Sequence, residues 1–331
     1  MTTNRTKTAT IAATITVAVA VAAALTGLLM SLIHGPGSTE STRPGTDDTN
    51  RTADGPVNLG QRVTDYTSRF GEDSGYRKPG SRDRRIAARG VTQLLDGQRA
   101  QAEKTLGDMD FTIRTLTDSV SGRRYAEISD RSEDSPAPRG WGRVYVDLTA
   151  PARWSVQVPH PVADQHTEDL GVRVLRGTPG GVLVVAGAHR RAGNGDAADV
   201  AHRTDSVFDA ICAELTERGL PAIQLHGYAD DSARGYDVIA SAGSGAQAQR
   251  EGRTLADALR ARDFEVCRAW TRACPLEGRS NVQGRKAEKE DVPFLHVEFS
   301  NSVRRSTEDA TRAVEAINTV IADWSTGRTQ G

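Results

Sequence analysis

The stretch Gly181-Val-Leu-Val-Val-Ala-Gly-Ala-His189-Arg190 decides the reading of this chain. A short apolar run that ends in Gly and then His reads as a buried strand carrying a polar group at its tip. Pro221-Ala-Ile-Gln-Leu-His226-Gly227 repeats the pattern soon after. Two strands that each deliver a histidine where the backbone leaves the sheet make a pair of converging imidazoles. In open α/β sheets, ligands bind at the carboxyl ends of the strands.

Working outward, the region after residue 180 alternates strand and helix signals. Strands are expected at 181–187, 221–226, 237–241, 265–270 and 293–299, and helices at 204–218 (closed by Gly219), 252–263 and 307–324. Upstream, Ile86, Val91, Leu94 and Leu95 follow helical spacing up to a turn near Gly107, and Phe111-Thr-Ile113 with Tyr125-Ala-Glu-Ile128 flank Ser121-Gly122 as a hairpin. Val144-Tyr-Val146 and Trp154-Ser-Val-Gln-Val158 add alternating runs. The expected fold class is α/β, a three-layer α/β/α domain around a mostly parallel or mixed sheet, with extra antiparallel strands from residues 108–158.

The amino terminus has a different character. Residues 9–33 form an uncharged stretch of Ala, Val, Ile, Leu and Thr, long enough at about 1.5 Å per residue to cross a hydrocarbon core of about 30 Å. Arg5 and Lys7 precede it, which predicts residues 1–8 in the cytoplasm and the bulk of the protein outside, as a single-pass membrane protein or, after cleavage of a signal, a secreted one. Residues 34–82 are rich in Gly, Pro, Ser, Thr, Asp and Arg and read as a disordered linker, with the α/β domain occupying 83–331.

With 42 basic and 43 acidic residues the formal net charge is -1, so no bulk electrostatic attraction to nucleic acid is expected. Cys267 and Cys274 have a spacing that a loop closed by a disulfide in an oxidising exterior would suit, and the same spacing fits two free thiols. Cys212 falls on the expected helix among Ile211 and Leu215 and reads as core.

Histidine placement carries the chemistry. Six of the seven histidines fall between positions 160 and 296. His189 and His226 at strand ends and His202 at a helix start occupy positions that suit Zn2+ ligands, and three neutral imidazoles plus a water make a catalytic zinc site. Asp205, three residues beyond His202, is read either as a helix cap or as the acceptor that orients its ring, with Asp199 as competitor. In Phe294-Leu-His296-Val-Glu298-Phe-Ser300, alternation puts His296, Glu298 and Ser300 on one face. A carboxylate on an otherwise apolar strand is costly to bury alone, so Glu298 reads as a general base near a zinc-bound water or as the partner of Arg304 or Arg190. Those two arginines are also candidate clamps for a substrate carboxylate.

Ala222-Ile-Gln-Leu-His226-Gly-Tyr-Ala and Phe294-Leu-His-Val-Glu298-Phe-Ser-Asn301, the latter followed by a final helix, resemble elements of the zinc-dependent N-acetylmuramoyl-L-alanine amidases. The resemblance covers roughly residues 180–325. It implies His189 as first ligand, His226 as third and Glu298 as catalytic carboxylate. The chain departs from that family where His202 stands for its usual Glu ligand and where Ala-Gly-Ala-His189 replaces Asp-x-Gly-His. The resemblance implies an amide substrate in the cell wall or a small molecule.

Two loops stay open. Val158-Pro-His160-Pro-Val-Ala-Asp164-Gln-His166-Thr-Glu168 is either a solvated connection or a source of substrate contacts or an alternative ligand, and Ser241-Ala-Gly-Ser244-Gly is a hydroxyl-rich turn without the Lys of a P-loop. Hydrolysis of another ester or phosphoester, and a non-catalytic envelope-binding module, remain as alternatives to amide hydrolysis.

Overall fold

The computed structural model describes residues 55–73 and 75–326. Nine strands form one sheet: β1 (Phe111–Thr117), β2 (Arg124–Asp130), β3 (Arg143–Asp147), β4 (Trp154–Val158), β5 (Gly181–Val185), β6 (Ala222–Tyr228), β7 (Val238–Ser241), β8 (Val266–Arg268) and β9 (Phe294–Ser300). Their order is β1-β2-β3-β5-β4-β6-β9-β7-β8. The centre, β5-β4-β6-β9, is parallel, while β1, β2 and β3 join antiparallel on one side and β7 joins β9 antiparallel on the other. The sheet is therefore mixed: of the strands in residues 108–158 expected as antiparallel additions, β1, β2 and β3 are antiparallel, whereas β4 lies in the parallel centre between β5 and β6.

Helices cover both faces because β5 and its neighbours are apolar on both. Val182 and Val184 of β5 pack with residues of α2 (Ser81–Leu95), α3 (Arg99–Gly107) and α5 (Val207–Glu217), among them Val91, Leu106 and Ile211. Leu183 and Val185 pack on the opposite face with α1 (Leu59–Thr67), α4 (Thr167–Gly177), α6 (Gln249–Arg260) and α9 (Thr307–Ser325), through residues such as Leu59, Leu170, Leu255 and Ile317. The remaining helices, α7 (Val282–Lys289) and α8 (Asn301–Arg305), flank β9 in the chain.

Several sequence expectations are corrected. The linker was expected to run to residue 82, but the described fold includes α1. Leu59, Val63 and Tyr66 recur at helical spacing and are buried, the Asn58 side chain accepts from the Gln61 amide, and Arg62 makes a bidentate pair of 2.6 Å bonds with buried Glu127. A polar average composition conceals one short amphipathic face. Residues 9–33 and the linker up to residue 54 lie outside the described residues, and no described helix is long and apolar enough to cross a membrane. The helical run from residue 84 to 107 is two helices, because Gly97 takes φ +75 and turns the chain. Helix α5 starts later than expected, since Ser206 and not Asp205 caps it, accepting from the Asp209 amide at 2.9 Å. Cys267 and Cys274 are disulfide-bonded with Cα atoms 6.1 Å apart, and Cys212 is buried core.

The new amino-terminal boundary has a direct test. Leu59→Ala should cost about 2–5 kcal/mol of unfolding free energy in a denaturant titration, the range for emptying a buried Leu site. An unchanged midpoint would return residues 55–68 to the linker.

Candidate metal centre

Strand register builds a polar stripe across the middle of an apolar sheet. Gln157 on β4 stands beside Gln224 on β6, Gln224 beside His296 on β9, and His226 beside Glu298. Neighbouring strands in register present these side chains to the same face, the one covered by α5 and α7. The loop after β4 adds His160 and Asp164 at the carboxyl end of the parallel strands.

Two groups of buried ligand-type atoms result, each with its atoms within 4.8 Å of one another: His160, Asp164 and His226, and then His226, His296 and Glu298. In the first, Asp164 Oδ2 lies 3.2 Å from His160 Nδ1 and 3.4 Å from His226 Nδ1. The loop that carries His160 and Asp164 turns through Val162 at φ +69, a conformation costly for a β-branched residue and found where function constrains the backbone. His160 stands between two carboxylates, with Nε2 2.8 Å from Asp199 Oδ1 and Nδ1 3.2 Å from Asp164 Oδ2. Arg190 reaches from the end of β5 to Asp199 Oδ2 at 2.6 Å and to His160 Nδ1 at 3.3 Å.

The electrostatics suit a cation. Burial pushes Asp164 up, but the His160 and His226 imidazoles outweigh it and hold the carboxyl well below its usual range. Asp199 is likewise raised by burial, yet His160 and Arg190 bring it down to about 2. Burial and then the neighbouring His296 push His226 down to about 4, so its ring is neutral at pH 7. His160 is disfavoured as a cation by burial, and the hydrogen bonds to Asp164 and Asp199 more than compensate, so its pKa is raised. The donor set of two imidazole nitrogens and one carboxylate, all buried, fits a zinc ion.

Glu298 is close to this group and pairs with neither arginine. Its Oε1 lies 3.3 Å from His296 Nε2. His296 Nδ1 is buried and has no hydrogen-bond partner among the described residues. The segment after the disulfide covers this ring, since a Cβ at Gly278, which has φ +69, would stand 2.5 Å from the imidazole.

Of the residues expected to bind metal, His226 lies in the cluster and the other two lie outside it. His189 is buried at the end of β5, but its Nδ1 accepts from the Arg191 amide at 3.3 Å and its Nε2 faces Glu72 at 3.9 Å. Burial lowers its pKa, partly opposed by Glu72. His202 is exposed. Asp205 does not orient it, because Arg203 holds both Asp205 oxygens at 3.0 and 2.9 Å. The loop after β5 passes through turns before α5 begins, and Asp199, the residue weighed against Asp205, is the one that returns to the sheet edge. Arg304, expected at a substrate, is buried and donates to the backbone carbonyls of Phe299, Gln165 and Tyr228. It locks the end of β9 to β6 and to the His160 loop, and it needs Gly227, where a Cβ would collide with its guanidinium. Ser241 is spent locally too, donating to Glu277 O at 2.7 Å and accepting from the Gly243 amide at 2.9 Å.

His160 and Asp164 carried a legible signal in the Val-Pro-His-Pro turn after a strand, and Asp199 carried a fainter one. Gln157, Asn281 and Gln283 carry no such signal, because an amide side chain has no local pattern that marks it as buried. Gly187 and Ala188, just before His189, line a cavity of about 380 Å³ with Phe70, Tyr76, Pro136 and Pro138.

No protein family and no curated protein matches the sequence. Among solved structures, N-formylglutamate amidohydrolase from Ralstonia eutropha is similar at 11% identity and a TM-score of 0.41, over 57% of this chain and 98% of that one. Succinylglutamate desuccinylase/aspartoacylase from Rhodobacter sphaeroides is similar at 14% identity and a TM-score of 0.36, over 61% and 64%. The aminopeptidase LapA from Legionella pneumophila is similar at 12% identity and a TM-score of 0.35, over 81% and 70%. At these scores the likeness does not decide the activity, and the reading of the site rests on its geometry.

The stripe extends to a titratable group on α5. Burial raises Asp209 to about 6, partly opposed by the hydrogen bond from Gln283. An unfolded Asp titrates near 3.9. The folded state therefore holds this proton more tightly, and stability falls as pH rises from about 4 to about 6 and is level above. Asp209→Asn keeps the acceptor for Gln283 and should be more stable than the parent by about 2–3 kcal/mol at pH 7.5, with the two converging at pH 4 in urea titrations. Parallel pH profiles would contradict the raised pKa.

Proposed function

We propose that this chain is a zinc-dependent hydrolase of amide bonds, with His160, Asp164 and His226 holding the metal and Glu298 acting as general base. One observation carries the reading. Tetrahedral zinc with bonds of about 2.0–2.1 Å requires ligand atoms about 3.3–3.4 Å apart. Asp164 Oδ2 stands 3.2 and 3.4 Å from the two Nδ1 atoms.

Zinc bound there would supply Lewis acidity, polarising a carbonyl and making water more acidic. The protein's own part is positional. With the metal bound, Asp199 and Gln224 would hold the Nε2 hydrogens of His160 and His226 and leave both Nδ1 lone pairs to the ion. Glu298 takes a proton from the attacking water and returns it to the departing nitrogen, as a new C–O bond replaces the C–N bond. His296, bonded to Glu298 Oε1, fixes the direction from which that proton is accepted. We assign His189 and the adjoining cavity to the approach of substrate.

The proposal extends to location, as an envelope protein anchored by residues 9–33 with its domain outside, acting on a cell-wall or small-molecule amide. The apolar span behind Arg5 and Lys7 supports this, and so does the Cys267–Cys274 disulfide, a bond that persists in oxidising compartments. Protease added to intact cells should release the folded domain. Full protection would reverse the orientation.

Metal content and turnover on one set of variants test the chemistry. His160→Ala and His226→Ala should lose the single zinc, and His202→Ala should keep it. Glu298→Gln should retain zinc and fold while turnover of an amide substrate falls by about 10²–10⁴. Zinc lost from His202→Ala and kept in His160→Ala would restore the ligand set expected from the sequence.

A further inference from the structure

A histidine ligand offers a lone pair from one nitrogen only, and which one is fixed by where its hydrogen goes. We infer that the Val200 carbonyl and the Gly284 amide, acting through Gln224 as positioning residue, fix His226 in the tautomer whose Nδ1 is free to bind metal. The functional meaning of this inference rests on the ligand role proposed for His226.

The first chain of constraint starts in the loop before α5. Gln283 Nε2 lies 2.9 Å from Val200 O and 2.8 Å from Asp209 Oδ1. A carbonyl oxygen only accepts, so Gln283 turns its NH2 toward Val200 and its oxygen the other way. That oxygen is 3.2 Å from the Gln224 amide nitrogen, which also donates to Gln157 Oε1 at 2.9 Å. Gln224 therefore points its own oxygen toward His226.

The second chain starts at the cap of α7 and is independent of the first. The Gly284 amide donates to Asn281 Oδ1 at 2.9 Å. A backbone N–H only donates, so Asn281 turns its NH2 outward, where it donates to Gln224 Oε1. Both chains make Gln224 Oε1 an acceptor. His226 Nε2, 2.7 Å from that oxygen, carries the hydrogen, and Nδ1 faces Asp164 with its lone pair.

Gln157, Gln224, Asn281 and Gln283 are all buried, so no bulk water is available to take over a misdirected bond. Turning any one amide around would oppose two donors or two acceptors in a dry layer. The position of α7 on the sheet is thereby coupled to the orientation of a ligand on β6.

The test is spectroscopic and uses metal-free protein. Long-range ¹H–¹⁵N correlation at pH 7 should show His226 as the Nε2–H form. Gln224→Leu should turn the ring into a tautomer mixture and weaken zinc binding about 10–100-fold, as loss of a partner hydrogen bond does. Gln224→Glu, whose protonated carboxyl accepts from His226 and Asn281 on one oxygen and donates to Gln157 or Gln283 from the other, should restore the Nε2–H form. An Nδ1–H ring in the unaltered protein overturns the inference, with no variant needed. An unchanged Nε2–H ring in Gln224→Leu overturns it as well. An Nε2–H ring in a protein that binds no zinc would overturn the ligand role of His226 and leave the tautomer control standing.

Discussion

The structure depends on a row of polar side chains buried in the middle of its sheet. Parallel register forces Gln157, Gln224, His226, His296 and Glu298 onto one face of β4, β6 and β9, among strands otherwise made for an apolar core. Such groups are costly unless each finds a partner, and a layer that is only partly satisfied is worse than an apolar one. Much of the surrounding architecture answers that demand. Helix α7 supplies Asn281 and Gln283, α5 supplies Asp209, and the loop between β5 and α5 supplies Asp199 and the Val200 carbonyl. Within this row the exception is His296 Nδ1, which has no hydrogen-bond partner among the described residues.

The carboxyl edge of the parallel strands completes the stripe. A loop strained at Val162 carries His160 and Asp164 over the end of β4. Arg304 ties that loop to the ends of β6 and β9 through three backbone carbonyls, a use of guanidinium as an internal clamp, and the absence of a Cβ at Gly227 makes room for it. The disulfide-closed segment lies over His296 on the other side. Cations and anions thus divide their places: Arg190 and Arg304 hold the frame, while Asp164 and Glu298 bring negative charge to the buried imidazoles.

Apolar runs ending in polar residues determined by themselves where β4, β5, β6 and β9 lie and that helices separate the later ones, since period and turn chemistry are local properties. They also determined that His226 and Glu298 are polar groups carried on otherwise apolar strands. Only the tertiary structure decided which residues meet there. His160 and His226 become neighbours because β4 pairs with β6, a choice of strand order that no local spacing encodes. His202 was expected at a helix start yet faces solvent, because the chain folds through several turns before α5 begins at Val207 and presents Asp199 instead. The extent of the fold was misread at α1 for a related reason: three apolar residues within a polar stretch are too weak a signal until the pocket that buries them exists.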